Sequence, residues 1–196
     1  RVGLKGVSKG DRALWQQFHD DWETLATESN LALAELAAPA NTGNESAVHE
    51  DLASESSYEG ATKQVIATVR IKQAFFRRAV LASYAGRCCM SQVAEPKLLV
   101  ASHIVPWGID KANRLNPRNG LCLSALHDRA FDLGLISVSS DFKVLVSRNL
   151  RKQFKNDLVA RAFGDIENKP IQLPDKFRPD QEFLKWHQDN PFAANQ

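Results

Sequence analysis

The chain is poor in sulfur. Its single methionine is Met90, and its three cysteines are Cys88, Cys89 and Cys122, an odd number with two of them adjacent. That set does not form a disulfide framework and fits a reducing cytoplasm. The absence of any CxxC pair argues against a four-cysteine zinc knuckle. No apolar run approaches the roughly 20 residues that a bilayer span requires, so no membrane partner is expected. No basic-then-apolar leader opens the chain either. Because it begins at Arg1 and has no methionine before residue 90, the expectation is that the natural start, and with it an upstream domain, lies outside these 196 residues.

Net charge is also small, at +2, but it is unevenly spread. Residues 61–155 hold 16 Lys and Arg against 5 Asp and Glu, whereas residues 1–60 hold 4 against 11 and residues 156–196 hold 5 against 7. A basic middle between acidic flanks is the electrostatic footprint expected of a protein that meets a phosphate backbone. Many solvated helix faces are equally basic, so the charge needs a second signal.

Three regions follow from composition. Residues 1–38 carry an amphipathic helical segment over 11–37, with Leu14, Trp15, Phe18, Trp22, Leu25, Leu31 and Leu36 mostly three or four apart and Ser8 or Asp11 as candidate caps. Its apolar face suits oligomerisation or docking. Residues 39–60 contain five acidic side chains, no Lys or Arg and many small polar residues. This composition marks a flexible linker, because it cannot bury enough surface to offset ordering entropy. Residues 61–196 hold the main domain. A second helix is expected over 63–84, with Ile71, Phe75, Ala79 and Val80 on one face, then a strand in the apolar run 98–105. A polar loop follows over 108–118, then a short strand at 120–123 and a helix capped by Ser124 and closed by Gly134. Residues 135–147 alternate around Ser139, Ser140 and Asp141 as a hairpin does. In the tail, Phe183, Leu184 and Trp186 are expected to dock on the core.

The strand–loop–strand–helix stretch carries the chemistry. His103 closes the first strand, Asn119 opens the second and His127 lies in the first turn of the helix, at spacings of 16 and 8 residues. Alone, a histidine amid apolar residues is usually a satisfied core group, and Asn-Gly is usually a turn. Together the pattern "ASHIVPW … RLNPRNGLCL … LHDRAFDLGLI" resembles the HNH endonucleases, the ββα-metal nucleases, and most of all their bacterial restriction and defence subgroup. The flanking "FFRRAVLASYAGRC" and "FLKWH" extend the resemblance over roughly residues 70–190.

The resemblance implies an α+β protein with a ββα-metal (His-Me finger) core, flanking helices and a C-terminal β-hairpin. It implies a metal-dependent DNA endonuclease of restriction or anti-phage defence that leaves 5′-phosphate and 3′-hydroxyl ends. By it, His103 is the general base, Asn119 the central residue that holds the loop, and His127 a catalytic residue and metal ligand. Mg²⁺ is the expected metal, with Mn²⁺ and Zn²⁺ as alternatives. One position departs from the pattern. Where many members place Asp or His just before the first histidine, this chain has Ser102, a poorer ligand for a hard dication. Water then completes the site, or Asp128 does, with Asp132 as a further candidate. Arg77, Arg78, Lys111, Arg114 and Arg118 are the candidate phosphate contacts, which would position double-stranded DNA without reading its bases. A homodimer would suit double-strand cleavage. The alternatives are a non-catalytic DNA-binding module, which Ser102 keeps open, and a latent effector nuclease controlled by an upstream domain or partner.

Overall fold

The computed structural model describes residues 21–36 and 60–196, with side chains treated for 21–29 and 71–196. The expectations for residues 1–20 and 37–59, including most of the acidic linker, lie outside the described residues. The chain divides into two compact units at Phe75/Phe76. The described residues combine helices with two small antiparallel sheets. None of their helices is long and apolar enough to cross a membrane.

In the first unit, helix α1 spans Trp22–Leu36. The expected helix over 11–37 is therefore not one uninterrupted element. The Asp21 carboxylate accepts from the Thr24 N–H at 3.0 Å and from its hydroxyl at 2.6 Å. That local bond satisfies a donor that a new helix leaves open, and it competes with helical continuation through Asp21. Helix α2, Gly60–Ser83, starts before the residue 63 expected from its pattern and runs from the first unit into the second. Of its anticipated apolar face, Phe75 and Val80 are buried, whereas Ile71 is 43% exposed; Phe76, not anticipated, is buried as well.

The second unit contains the elements that position the candidate site. Strand β1 (Leu99–His103) pairs antiparallel with β2 (Gly120–Ser124), in a register that sets Ser102 opposite Leu121 and His103 opposite Gly120. Helix α3 (Ala125–Asp132) follows β2 at once, and the Ser124 hydroxyl caps it by accepting from the His127 N–H. Gly134, at φ +65°, ends it. The N–H groups of Gly134 and Leu135 return to the carbonyls of Phe131 and Ala130 at 2.8 Å, the reversal that a left-handed glycine permits. No side chain fits there, since a Cβ on Gly134 would lie 2.0 Å from the Pro191 carbonyl oxygen.

Strands β3 (Ile136–Val138) and β4 (Val144–Val146) form the second antiparallel pair. Helix α4 (Gln181–His187) is capped by Asp180 and docks through Leu184 and His187, while Phe183 and Trp186 stay only partly covered. Phe76, Val80, Ile104, Leu121, Leu123, Phe131, Ile136, Val138 and Leu184 form the centre of this unit's core. Cys88, Cys89 and Cys122 are all buried free thiols.

His187 ties α4 to the sheet and gives the unit a pH dependence. Its Nε2–H donates to the Phe131 carbonyl at 3.0 Å, its Nδ1 meets the Ser137 hydroxyl at 2.9 Å, and its ring stacks on Phe131 at 3.7 Å. Burial pulls its pKa down from 6.5 to about 4, against a smaller upward pull from the Phe131 carbonyl. Between those limits the unfolded chain binds a proton that the folded chain refuses, so this group's stabilisation is complete above pH 6.5 and is lost as the pH falls towards 4. The expected loss is about 3 kcal/mol at the acid end. Urea unfolding from pH 7 to pH 4 should show a steeper acid decline for the native chain than for His187→Gln; parallel curves would refute the assignment.

Candidate active site

His103 ends β1 with its ring fixed on three sides. Phe76 stacks on it at 3.7 Å with an interplanar angle of 11°, and Trp107 meets it edge-on at 5.5 Å. Its Nε2 lies 2.9 Å from the carbonyl oxygen of Arg114. A carbonyl can only accept, so Nε2 carries the proton and the neutral ring has its lone pair on Nδ1. Among the described residues Nδ1 has no hydrogen-bond partner. Burial lowers the pKa of His103 below 6.5, and the Arg114 carbonyl offsets this only in part. The result is a neutral imidazole near pH 7 with one nitrogen anchored and the other open.

The opposite residue in the register explains the stack. A Cβ on Gly120 would come within 2.5 Å of Val80 Cγ2 and 2.9 Å of Phe76 Cζ. Only glycine there lets Phe76 lie flat against His103.

Asn119 is fully buried and acts as a clasp. Its Oδ1 accepts from the Val105 N–H at 2.8 Å, and its Nδ2 donates to the carbonyls of Val105 at 3.1 Å and Asn113 at 3.4 Å. It touches the loop on both sides of His103's anchor without touching His103. The loop adds its own order: Asp110 accepts from the N–H groups of Ala112 and Asn113, and Arg114 Nε donates to the Trp107 carbonyl at 2.7 Å. The Arg114 guanidinium also lies 5.2 Å from the centre of the Trp107 ring.

The structure does not bring the two histidines together; they have no contact partner in common. His127 is turned into the core. Its Nε2–H donates to the Ala162 carbonyl at 3.0 Å, and its Nδ1 faces the Ser124 hydroxyl at 2.9 Å and Cys88 Sγ at 3.6 Å. Burial opposes its charge, but the hydrogen bonds to Cys88 and Ala162 outweigh burial and raise its pKa. Cys88 is its counterpart. Burial pushes the thiol up, yet the bonds from His127 and Ser91 bring it down to about 6. With both ring nitrogens engaged in the core, the expectation that His127 is a metal ligand does not fit this geometry. The Cys88–His127 contact had no sequence signal, because the partners are 39 residues apart.

What the next residue does is different. Strand side chains alternate between faces, so Ser102 points away from the side where His103 meets Phe76. Ser102 is buried, and its hydroxyl makes no hydrogen bond of normal geometry. It lies near the carboxylate of Asp128, whose pKa burial raises and the Ser102 hydroxyl and Arg129 partly restore. Asp132, one turn further along α3, is pushed up to about 6 by desolvation and then by the charge of Asp128, although the residue keeps solvent access. Two carboxylates and a hydroxyl therefore lie in one neighbourhood. Among the described residues no group of three or more His, Cys, Asp or Glu could hold a metal ion, which also argues against the zinc alternative through Cys88 and Cys122.

The cations sort unequally. Arg77 is tied down, with its two terminal nitrogens donating to the carbonyls of Leu99 at 2.8 Å and Pro96 at 3.2 Å; it anchors the entry to β1 rather than reaching for phosphate. Arg78, Lys111 and Arg118 are exposed, and Arg114 is partly covered. Lys111, Arg114 and Arg118 share the loop that positions His103.

No curated protein matches the chain. Among solved structures, a chain titled "Modification dependent TagI restriction endonuclease" is similar at 18% identity and a TM-score of 0.42. That match covers 58% of this chain and 36% of the other, so this chain spans little more than a third of that protein's length. Residues 88–139, which hold Ser102, His103, Asn119, His127 and Asp128, match the family described as HNH endonuclease.

Proposed function

We propose that the chain is a metal-dependent DNA endonuclease with a ββα-metal core and a C-terminal β-hairpin, acting in restriction or anti-phage defence. The observation that carries this reading is His103: a neutral ring with Nε2–H on the Arg114 carbonyl and an open Nδ1, inside the segment that matches the HNH family. HNH endonucleases generally use a divalent metal and act on DNA. In the reaction, Nδ1 of His103 takes a proton from the water that attacks phosphorus. The bond to the 3′ oxygen breaks, leaving 5′-phosphate and 3′-hydroxyl ends. Asn119 holds the loop that orients the base. A bound dication would neutralise charge on the pentacoordinate phosphorus and on the departing oxygen. Arg78, Lys111, Arg114 and Arg118 are the remaining candidates for phosphate contacts.

The domain reading goes with this proposal: residues 1–38 as a docking or dimerisation segment, 39–60 as a linker and 61–196 as the nuclease domain. The buried free thiols suit a cytoplasmic setting. The test is cleavage of supercoiled double-stranded plasmid with Mg²⁺ or Mn²⁺, beside EDTA. Nicked or linear product is expected with metal and none with EDTA. Cutting that ignores EDTA, or no cutting with any metal, would overturn the reading.

A further inference from the structure

If the chain uses a dication, the geometry fixes which side chains can hold it. His127 offers no open lone pair: Nε2–H is held by the Ala162 carbonyl, and Nδ1 faces Ser124 and Cys88. The next helical residue, Asp128, faces the other way, towards Ser102. Asp132 follows at i+4, the spacing that puts two side chains on the same helix face. Like charges at that spacing are mutually unfavourable unless a cation lies between them. A second observation is independent of the acidic pair. The Ser102 hydroxyl is 3% exposed, lacks a hydrogen-bond partner and lies beside Asp128. A buried hydroxyl without a partner calls for an explanation, and an ion or its bound water would provide one.

We propose that this chain takes its divalent cation on oxygen alone, with Asp128 as the main ligand, Asp132 as the second carboxylate and Ser102 as the hydroxyl that faces the ion or its water, and that His127 is not a ligand. The proposal rests on the nuclease reading for the use of a cation, but not for the place of the site. The donor chemistry sets the metal class. One or two carboxylates with retained waters suit Mg²⁺ and Mn²⁺, whereas Zn²⁺ favours imidazole or thiolate ligands, which this site lacks. The Cys88–His127 pair then has a separate task, which is to hold the inner face of α3 and so keep Asp128 turned towards β1.

The test uses Mn²⁺ alone, without DNA, on the full chain, and follows free Mn²⁺ by electron paramagnetic resonance. Asp128→Asn should weaken binding by about tenfold or more and Asp132→Asn by less, while His127→Gln should stay close to the native chain. Because His127→Gln can disturb the core, a second measurement keeps the native residue: the ring ¹⁵N signals of His127 should not shift when Mg²⁺ is added. Undiminished binding by Asp128→Asn, or a coordination shift at His127, would overturn the proposal. The two readings can fail separately. Mn²⁺ held through Asp128 in a chain that cuts no plasmid leaves this site standing and removes the nuclease reading. Metal-dependent cutting with binding indifferent to Asp128→Asn does the reverse.

Discussion

Replacing His103 with alanine is expected to slow plasmid cleavage by about 10²–10⁴-fold, the usual contribution of a positioned general base. The expectation rests on a division of labour between the two ring nitrogens. With Nε2–H held by the Arg114 carbonyl, the neutral ring can accept a proton only at Nδ1. His103→Gln separates this role from packing, because glutamine can still donate to that carbonyl but cannot act as a base near neutral pH. Both variants should therefore be slow, and added imidazole should recover part of the activity of His103→Ala. A purely structural histidine would give no such rescue. The pH profile supplies an independent check. The base works unprotonated and burial holds its pKa below 6.5, so the acid limb of the rate should fall below pH 6.5, not at or above it. Native cleavage that fades on acidification at a higher pH, or equal cutting by His103→Ala, would remove His103 from its role.

The parts of the core that sequence reasoning locates well are those whose signals are local. Ser124 caps the next turn, Gly134 closes it in a left-handed conformation, and the two strands fall within a residue or two of their apolar runs. Orientation is harder to read. A helix turns about 100° per residue, so His127 and Asp128, adjacent in the chain, face different surroundings. A motif spacing that is off by one position changes a core imidazole into a site carboxylate. Resemblance alone favoured the histidine because its residue type is the familiar one. The packing of α3 decides otherwise. Arg77 shows a similar limit. Charge counting treats every arginine as available, but the carbonyls of Pro96 and Leu99 that occupy this one come from 19 and 22 residues away. The contacts of His103 with Phe76 and Arg114 are likewise made by the fold, not by neighbours in the chain.

Asn119→Ala is expected to be the most damaging single change to the stability of the second unit, and to impair the site at the same time. Alanine leaves the Val105 N–H and two carbonyls without the partners they have now, in a place with no solvent to replace them. At about 1–3 kcal/mol for each buried group left unsatisfied, and with partial relaxation, the loss should be about 3–5 kcal/mol. Thermal or urea unfolding would measure it. Asn119→Asp should be no rescue, because a carboxylate accepts from Val105 but cannot donate to either carbonyl. The consequence for chemistry passes through the loop. Val105 lies two residues after His103, and Asn113 precedes the residue whose carbonyl fixes its ring. Without the clasp, the Arg114 anchor loosens and His103 gains solvent. Burial is the larger of the two influences on the His103 pKa, so its loss should carry the acid limb of the cleavage profile upwards, towards 6.5. Measured at a temperature where the variant remains folded, a slower rate with that upward shift would identify Asn119 as the residue that positions the base. A slower rate with an unmoved acid limb would confine Asn119 to holding the fold.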